Sequence, residues 1–347
     1  MSLRACLAAA GFAGAIASAS ADPASEAARC GVDLERYRQP PTPYLCDALR
    51  VIEEQAHAVN TVDWPTIKRE VLAETRDARS ESDVHPVIAS ALSRLDPHSR
   101  FLAPARAADL RSAQTRVDRV LPNSQTAVAY VDLRGFRGTD PASMLAYVRS
   151  LREGIAAAEA GRTCGYIVDL RRNPGGNMWP ALLGLQPLLG TGVVGGFRTR
   201  DGTQAWWQLE PDRARAADVV AIASLNPLPR SDAAAARPVA VLLGTETASA
   251  GEAVAIAFRQ RPATRFFGWH TAGLTTANAT FKLRDQAALV LAVADIIDRD
   301  GNAYSRYVSP DEETVAALRV HRLHRYDDVT RNAATEWLAS TPDCASP

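Results

Sequence analysis

The chain has 347 residues, and its 39 lysines and arginines balance its 39 aspartates and glutamates, so the formal net charge is zero. A neutral chain carries no electrostatic signal for nucleic acid or for an anionic membrane surface, and we expect neither as a partner. The length fits one large domain or a core with a smaller appendage.

Residues 1–21 predict a secretory signal peptide. Arg4 provides a positive start, a run rich in alanine and leucine follows, and Ala19-Ser-Ala21 resembles a cleavage site before Asp22. The run is too short and too rich in alanine for a membrane span. We therefore expect an exported protein, periplasmic or extracellular, without stable membrane insertion.

The remaining cysteines, at positions 30, 46, 164 and 344, permit disulfides in an exported protein, with three pairings open. Cys30 and Cys46 are close in sequence and flank a proline-rich stretch, which favours that pair. No spacing of cysteine and histidine resembles a metal site, and we expect no metal ion and no organic cofactor.

The region 22–104 predicts a small helical domain. Residues 22–43 are polar and proline-rich and suggest irregular structure, whereas 44–59 has helical periodicity. Asp63-Trp-Pro65 opens a second helix, and Ser82-Asp83 caps a third. A polar connector, 105–124, follows.

From residue 125 to the C-terminus, strands and helices alternate, which predicts an α/β core with an open sheet and inserted hairpins. The expected strands are 126–133, 166–170, 239–243 and 264–268, the expected helices begin at Asp140-Pro141, after Pro180 and after Ser249, hairpins are expected at Asp201-Gly202 and over 279–295, and 311–338 reads as helical.

Ser249 lies where the apolar run Val239–Leu243 passes through a short turn into a helix. Its neighbours Ala248 and Ala250 leave the hydroxyl uncrowded, and the helix N-terminus supplies free backbone N–H groups. A serine nucleophile needs this environment, because negative charge develops on the substrate oxygen. The ordinary alternative is a helix N-cap.

Asn173-Pro-Gly175-Gly176 is a second turn that leaves a predicted strand. Sites in open α/β sheets form beyond the carboxyl ends of strands, so this turn and the Ser249 turn are expected to meet. Backbone N–H groups of Gly175 or Gly176, with that of Ala250, would then form an oxyanion hole. The alternative is a tight turn without a catalytic role.

Asp169–Gly176 followed by Thr247–Glu252 resembles the S41 serine peptidases, which include the tail-specific and C-terminal processing proteases. Further segments of residues 60 to 340 agree with that family, namely 62–64, 95–99, 268–273, 300–301 and 310–311. The resemblance implies a crotonase-like or ClpP-like ββα core.

Two departures from the family pattern are informative. The lysine that follows the Gly-x-x-Thr-x-Gly loop in Ser–Lys members is Leu274 here, while Lys68 and Lys282 lie elsewhere. About twenty residues separate Pro104 from Ser124, far too few for the PDZ domain of processing proteases. We therefore expect no PDZ domain and no Ser–Lys dyad.

The branch without a PDZ domain, of the tricorn and nisin-resistance-protein type, implies a histidine base at His98. By itself His98 could be a turn residue tied to Asp96, and His270 is the rival base. A histidine base needs a partner that fixes its tautomer, and Asp96, Ser99 and Glu252 remain candidates. That branch places a Glu before the closing Pro-Asp element, but residues 304–308 contain no acid.

These features predict a secreted serine endopeptidase that hydrolyses peptides or proteins through an acyl-enzyme on Ser249. The alternative is a catalytically inactive S41-like protein that binds peptides or other ligands, since a fold match does not establish catalysis.

Overall fold

The computed structural model describes residues 22–109, 119–122, 127–304, 306–314 and 327–345. The predicted signal peptide lies outside the described residues, as do 110–118 and 123–126 of the connector and 315–326 of the predicted helical tail. Within the described ranges, no helix combines the length and apolar composition needed to cross a bilayer.

The secondary structure follows in chain order. The α-helices are α1 Pro23–Cys30, α2 Leu34–Tyr37, α3 Pro41–Gln55, α4 Trp64–Glu74, α5 His85–Leu95, α6 Pro104–Asp109, α7 Pro141–Ala160, α8 Met178–Gly184, α9 Gln186–Leu189, α10 Ala250–Phe258, α11 Asp327–Ala339 and α12 Pro342–Ala345. The strands are β1 Arg100–Leu102, β2 Arg119–Pro122, β3 Val128–Asp132, β4 Gly165–Asp169, β5 Gly192–Thr199, β6 Gln204–Glu210, β7 Arg213–Ala216, β8 Val219–Ala223, β9 Val239–Leu243, β10 Thr264–Gly268, β11 Thr276–Lys282, β12 Ala288–Ile297 and β13 Glu312–Glu313.

The chain forms two compact units. The first comprises Met1–Ala113, Thr199–Thr203 and Thr276–Ala294, and the second comprises the remaining segments. The sequence predicted a helical domain at 22–104, a connector at 105–124 and a core at 125–347. The structure instead groups most of the β11–β12 hairpin with the N-terminal helices, because β1 pairs antiparallel with β12.

The first unit begins with helices where the sequence predicted irregular structure, and that prediction is wrong. Asp22 caps α1 by accepting the Ala24 N–H, and Gly31 ends the helix in the left-handed conformation. Helices α1 and α2 have eight and four residues, too short for apolar periodicity to show. The predicted disulfide Cys30–Cys46 is confirmed and joins α1 to α3.

Capping hydrogen bonds determine where the helices α4 and α5 begin. Asp63 accepts the Thr66 N–H and α4 begins at Trp64, as predicted. The Asp83 carboxylate bonds backward to the N–H groups of Arg79 and Ser80. This closes a 3₁₀ turn, and α5 begins only at His85, after the predicted cap.

The second unit is organised around a mixed sheet in the order β13-β10-β9-β4-β3-β2, in which only β2 is antiparallel to its neighbour. Every residue of β4 and β9 is buried, as is typical of parallel strands covered on both faces. The parallel strands end at one edge of the sheet, so the turns after β4 and β9 leave from neighbouring positions. The α/β fold with an open sheet is confirmed, and the residues described between α6 and β3, 119–122, form no domain of their own.

Helix α11 packs on this sheet and contributes to one apolar cluster, made of Val128, Cys164, Ile167, Ala240, Leu242, Phe267, Ala334 and Leu338. A second disulfide, Cys164–Cys344, anchors the C-terminal segment beside β4. The predicted helical tail is therefore correct for α11. It is wrong at residues 312–313, where β13 pairs in parallel with β10.

The remaining strands of the second unit, β5 to β8, form an antiparallel meander. The hairpin predicted at Asp201-Gly202 is confirmed, with Gly202 at φ +84°. The sequence did not predict β7 and β8, which have four and five residues.

Candidate active site

The two turns that the sequence singled out lie against each other in the second unit. Strand β4 pairs with β9, so the chain after Asp169 and the chain after Leu243 leave the sheet side by side. The Ala248 N–H donates to the Asn173 carbonyl at 2.9 Å, and the Thr247 hydroxyl donates to the Leu170 carbonyl at 2.8 Å. These bonds fix the Ser249 turn on the glycine turn.

Ser249 occupies the N-cap position of α10 with a backbone that serine rarely adopts. Its φ is +52° and its ψ is −115°, near the first central position of a type II′ turn, where glycine predominates. Holding a non-glycine residue there costs about 1–3 kcal/mol, and such strain is concentrated at functional sites. Ser249 is only partly buried.

Gly175 makes the closest backbone approach to Ser249. A Cβ on Gly175 would lie 2.8 Å from the Ser249 Cβ and 3.0 Å from the Ala250 nitrogen, so any side chain would push the two turns apart. Its φ of +94° also favours glycine. The Gly175 N–H is already used, because it donates to Asn173 Oδ1 at 3.0 Å.

Gly176 and Ala250 provide the N–H groups that remain open. Among the described residues, neither N–H has a hydrogen-bond acceptor, whereas the neighbouring Gly175 and Gly251 N–H groups each have one. Gly176 lies against the Phe136 carbonyl at φ +129°, where a Cβ would collide with that oxygen. Of the three predicted oxyanion donors, the geometry therefore favours Gly176 and Ala250 over Gly175.

Glu252 connects the Ser249 turn to the Gly-x-x-Thr-x-Gly loop at 268–273. Its fully buried carboxylate accepts the Ser249 N–H at 2.8 Å, the Thr271 hydroxyl at 2.5 Å, the Gly273 N–H at 2.9 Å and the Leu274 N–H at 2.8 Å. Burial raises the pKa of this carboxyl above its usual value, and the four donors oppose that effect. Glu252 thus positions the backbone of the Ser249 turn.

His98 lies in the first unit, 5% exposed, at the end of the Leu95-Asp-Pro-His-Ser99 turn. Asp96 Oδ1 accepts the His98 and Ser99 N–H groups, and Asp96 Oδ2 accepts the Ser99 hydroxyl. Burial, followed by the nearby Arg100 guanidinium, lowers the pKa of His98 to about 4. The imidazole is therefore neutral at pH 7.

Two side chains of β11 hold His98. Thr276 Oγ1 lies 2.8 Å from the imidazole Nδ1, and Asn278 Nδ2 donates to the His98 carbonyl at 3.3 Å. Thr276 and Asn278 are two residues apart on a strand, so both side chains extend from the same face. The Thr276 hydroxyl can either accept from Nδ1–H or donate to Nδ1, so this contact is compatible with both neutral tautomers of His98.

His270 is the histidine that accompanies Ser249 in the second unit. Its Nδ1 donates to the Thr271 carbonyl at 2.9 Å. The ring is 5.3 Å from that of Trp269 and 4.7 Å from that of Tyr307.

The structure thus groups Ser249, Gly175, Gly176, Ala250 and Glu252 within the second unit. His98, Asp96 and Ser99 form a cluster of their own within the first.

The comparison with known families identifies the chain. The model of peptidase family S41 matches residues 127–314, slightly more than half of the sequence. The chain belongs to peptidase family S41. The matched region contains the glycine turn at 173–176, the Ser249 turn and the loop bound by Glu252.

Individual relatives agree with this assignment. The nisin-resistance protein of Lactococcus lactis subsp. lactis is 26% identical over 313 residues, which cover 89% of this chain and 91% of that protein. A lipoprotein from Streptococcus agalactiae has a similar structure, with a TM-score of 0.67, 22% identity and coverage of 86% and 96% of the two chains. The photosystem II D1 C-terminal processing protease gives a TM-score of 0.55, 15% identity and coverage of 78% and 92%. The structural likenesses establish a shared fold.

The sequence reasoning missed one residue that the S41 assignment makes relevant. Asp96 and Ser99, proposed as orienting groups, bond to each other and to backbone, while the contact with the His98 imidazole comes from Thr276. Polar residues alternate at Thr276 and Asn278, and this alternation marks one strand face. That signal could have suggested a polar partner, although not which histidine it serves.

Both lysines belong to the first unit, whereas the loop at 268–273 belongs to the second. Lys68 on α4 bonds the Arg29 carbonyl at 2.9 Å and the Glu53 carboxylate at 3.1 Å, and Lys282 is exposed at the end of β11. The family's lysine position, Leu274, contributes its backbone N–H to Glu252 instead.

Proposed function

We propose that this S41 protein is an exported serine endopeptidase that hydrolyses peptide bonds through an acyl-enzyme on Ser249. The observation that carries the proposal is the local geometry of Ser249. The residue is held in a strained turn, Gly175 packs against it, and the N–H groups of Gly176 and Ala250 are open beside it.

In this mechanism the Ser249 hydroxyl attacks the peptide carbonyl, and the carbonyl oxygen becomes an oxyanion. The Gly176 and Ala250 N–H groups donate to that oxygen. Preorganised donors of this kind contribute about 2.7–4 kcal/mol each to transition-state stabilisation. Collapse of the tetrahedral intermediate releases the amine and leaves the acyl-enzyme, which water then hydrolyses.

His98 is the base that takes the serine proton and passes it to the leaving amine. A serine hydroxyl is a poor nucleophile at neutral pH, so the reaction needs such a group. The lowered pKa of His98 keeps the imidazole neutral, and the proposal has Nδ1–H donating to Thr276 Oγ1 while Nε2 acts on Ser249. Thr276 thereby takes the orienting role that an acid has in many triads.

The substrate class is an extended or flexible peptide or protein segment, encountered outside the cytoplasm. Export rests on the signal-like residues 1–21. No nucleic acid is required for this activity, and neither is a metal ion or an organic cofactor, because nucleophile, base and oxyanion donors are all supplied by the chain.

One observation favours a second candidate, an inactive protein that keeps the fold and binds peptides or other ligands. The family's lysine position holds Leu274, and residues 304–308 contain no acid. The two candidates differ in whether Ser249 is chemically activated.

A fluorophosphonate reaction followed by intact-mass analysis distinguishes them. The mature protein is expected to gain one adduct that is lost in Ser249→Ala. His98→Ala is expected to slow adduct formation by about 10²–10⁴-fold. Thr276→Val keeps the side-chain shape and removes the hydroxyl, with an expected loss of about five- to tenfold, while Thr276→Ser retains the rate.

His270→Ala is the matched control for the base. If His270→Ala slowed the reaction and His98→Ala did not, the assignment of the base would move to His270. An unreactive wild-type protein that still bound peptide would favour the inactive binding protein.

A further inference from the structure

Arg100 is an exposed arginine that follows the proposed base closely in the chain. It opens β1, which pairs with β12. Its two neighbours turn to the interior, since the Ser99 hydroxyl donates to Asp96 and the centre of the Phe101 ring lies 4.7 Å from that of His85. Because side chains alternate along a strand, the Arg100 side chain extends to the other side, where it is exposed.

The Arg100 guanidinium has no partner within the part of the chain that the structure describes. No described residue accepts a hydrogen bond from it or forms an ion pair with it. Partial burial lowers the pKa of Arg100, and no carboxylate of the described residues opposes that effect. Asp96, the acid of the same turn, has both carboxylate oxygens engaged by the His98 and Ser99 N–H groups and the Ser99 hydroxyl. The N–H donors of the guanidinium are therefore open to a ligand.

The charge of Arg100 acts on His98. After burial, it is the largest influence on the pKa of His98 and lowers it, whereas Asp96 raises that pKa to a smaller extent. A cation beside a base opposes proton uptake, because the imidazolium and the guanidinium repel each other. The proposed attack by Ser249 requires that uptake, so an anion bound to Arg100 would favour the reaction.

A carboxylate is the ligand that this arrangement fits. A guanidinium binds carboxylates through two parallel hydrogen bonds, and carboxylates are the anionic groups that an unmodified peptide carries. We propose that Arg100 is a specificity-determining residue that binds a carboxylate of the peptide substrate close to the scissile bond. An acidic side chain and a C-terminus present the same chemistry. The inference rests on the proposed function, because it requires that His98 serves the scissile bond.

Digestion of a proteome-derived peptide library, followed by mass spectrometry of the products, tests the proposal. The wild-type protein should cleave peptides that place a carboxylate at Arg100 about fivefold faster than those that do not, the upper range for an exposed ion pair. A side-chain carboxylate would enrich aspartate and glutamate at one position relative to the scissile bond. A terminal carboxylate would instead give cleavage at a fixed distance from the C-terminus.

Variants of Arg100 separate recognition from a structural role. Arg100→Gln should lose the preference, and Arg100→Glu should reverse it toward peptides with lysine or arginine at the same position, which loss of structure would not produce. Arg100→Lys should keep part of it, because the charge remains without the planar fork. Arg76→Gln, the same change at another exposed arginine of the first unit, is the matched control and should keep the wild-type profile.

Two outcomes would overturn this inference alone: a wild-type cleavage profile without a preference for carboxylates, or the same preference in Arg100→Gln as in the wild-type protein. Both would leave the proposed function intact, since the library would have been cleaved. A protein that cleaves no library peptide would reject the proposed peptidase function and this inference with it, whether or not Ser249 forms a fluorophosphonate adduct.

Discussion

At the scale of single residues, the site depends on backbone conformations that one side chain tolerates and another does not. Gly175 and Gly176 adopt positive φ angles beside atoms that leave no room for a Cβ. Ser249 also adopts a positive φ, although it has a Cβ. The conformations of Gly175 and Gly176 are ones that glycine adopts readily, whereas that of Ser249 is one that serine rarely adopts. The proposed function accounts for this difference, since it gives the hydroxyl at position 249 a catalytic role.

Replacing Ser249 should reveal the strain directly. Ser249→Gly and Ser249→Ala both remove the hydroxyl, but only glycine relieves the positive φ. We expect Ser249→Gly to be more stable to urea than Ser249→Ala by about 1–2 kcal/mol. Equal stabilities, or a more stable alanine variant, would show that the turn is unstrained.

At the scale of elements, the parallel pairing of β4 and β9 decides which turns meet. In the sequence, each of these strands is a short apolar run. The turn or helix after each strand is predicted from glycine, proline and capping residues. These local signals predicted Val239–Leu243, Thr264–Gly268 and the start of α7 at Pro141 correctly. They failed over 22–43, because α1 and α2 are short and are defined by caps and a disulfide.

The C-terminal elements depend on a disulfide that spans much of the chain. Cys164–Cys344 closes a loop of 180 residues and holds the segment after α11 beside β4, whereas Cys30–Cys46 closes 16. Loop-closure entropy gives about 3 kcal/mol for a loop near 15 residues and about 4.7 kcal/mol for one near 100. The double variant Cys164→Ser/Cys344→Ser should therefore lose more stability than Cys30→Ser/Cys46→Ser.

Urea unfolding of both double variants measures this difference, and the short-loop variant is the matched control. A larger loss from removing Cys30–Cys46 would mean that local packing of the first unit, not chain entropy, governs the contribution of the disulfides.

At the scale of the whole molecule, the chain assembles its two units from segments that are far apart in sequence. Residues 276–294 complete the first unit, although they follow the motifs of the second. This arrangement brings Thr276 to the imidazole of His98, 178 residues earlier. A buried histidine with a lowered pKa then links the stability of the folded protein to pH.

The sign of that linkage is determined by His98. Its pKa is about 4 in the folded protein and about 6.5 in an unfolded chain, so the unfolded state binds the proton more strongly. The contribution of His98 is therefore complete above pH 6.5 and is lost as the pH falls through 4. Its upper limit is about 3 kcal/mol, from 1.36 kcal/mol for each pKa unit.

Urea unfolding between pH 4 and pH 7.5 tests this linkage, with His98→Gln as the control that cannot titrate. The stability advantage of the wild-type protein over the variant should grow as the pH rises from 4 to about 6.5 and then stay constant. A constant difference would show that the folded protein leaves the pKa of His98 unchanged.

The local sequence pattern was sufficient to predict the α/β class, the strand, turn and helix around Ser249, and the family resemblance. Each of these features depends on residues that are adjacent in the sequence. The pairing of Cys164 with Cys344, the contact of Gly175 with Ser249 and the hydroxyl of Thr276 at His98 required the folded chain. Each joins residues brought together by strand pairing and burial, and no local spacing encodes which strands become neighbours. The choice of Gly176 over Gly175 as an open donor has the same origin, since it depends on which N–H group the folded turn has already bonded.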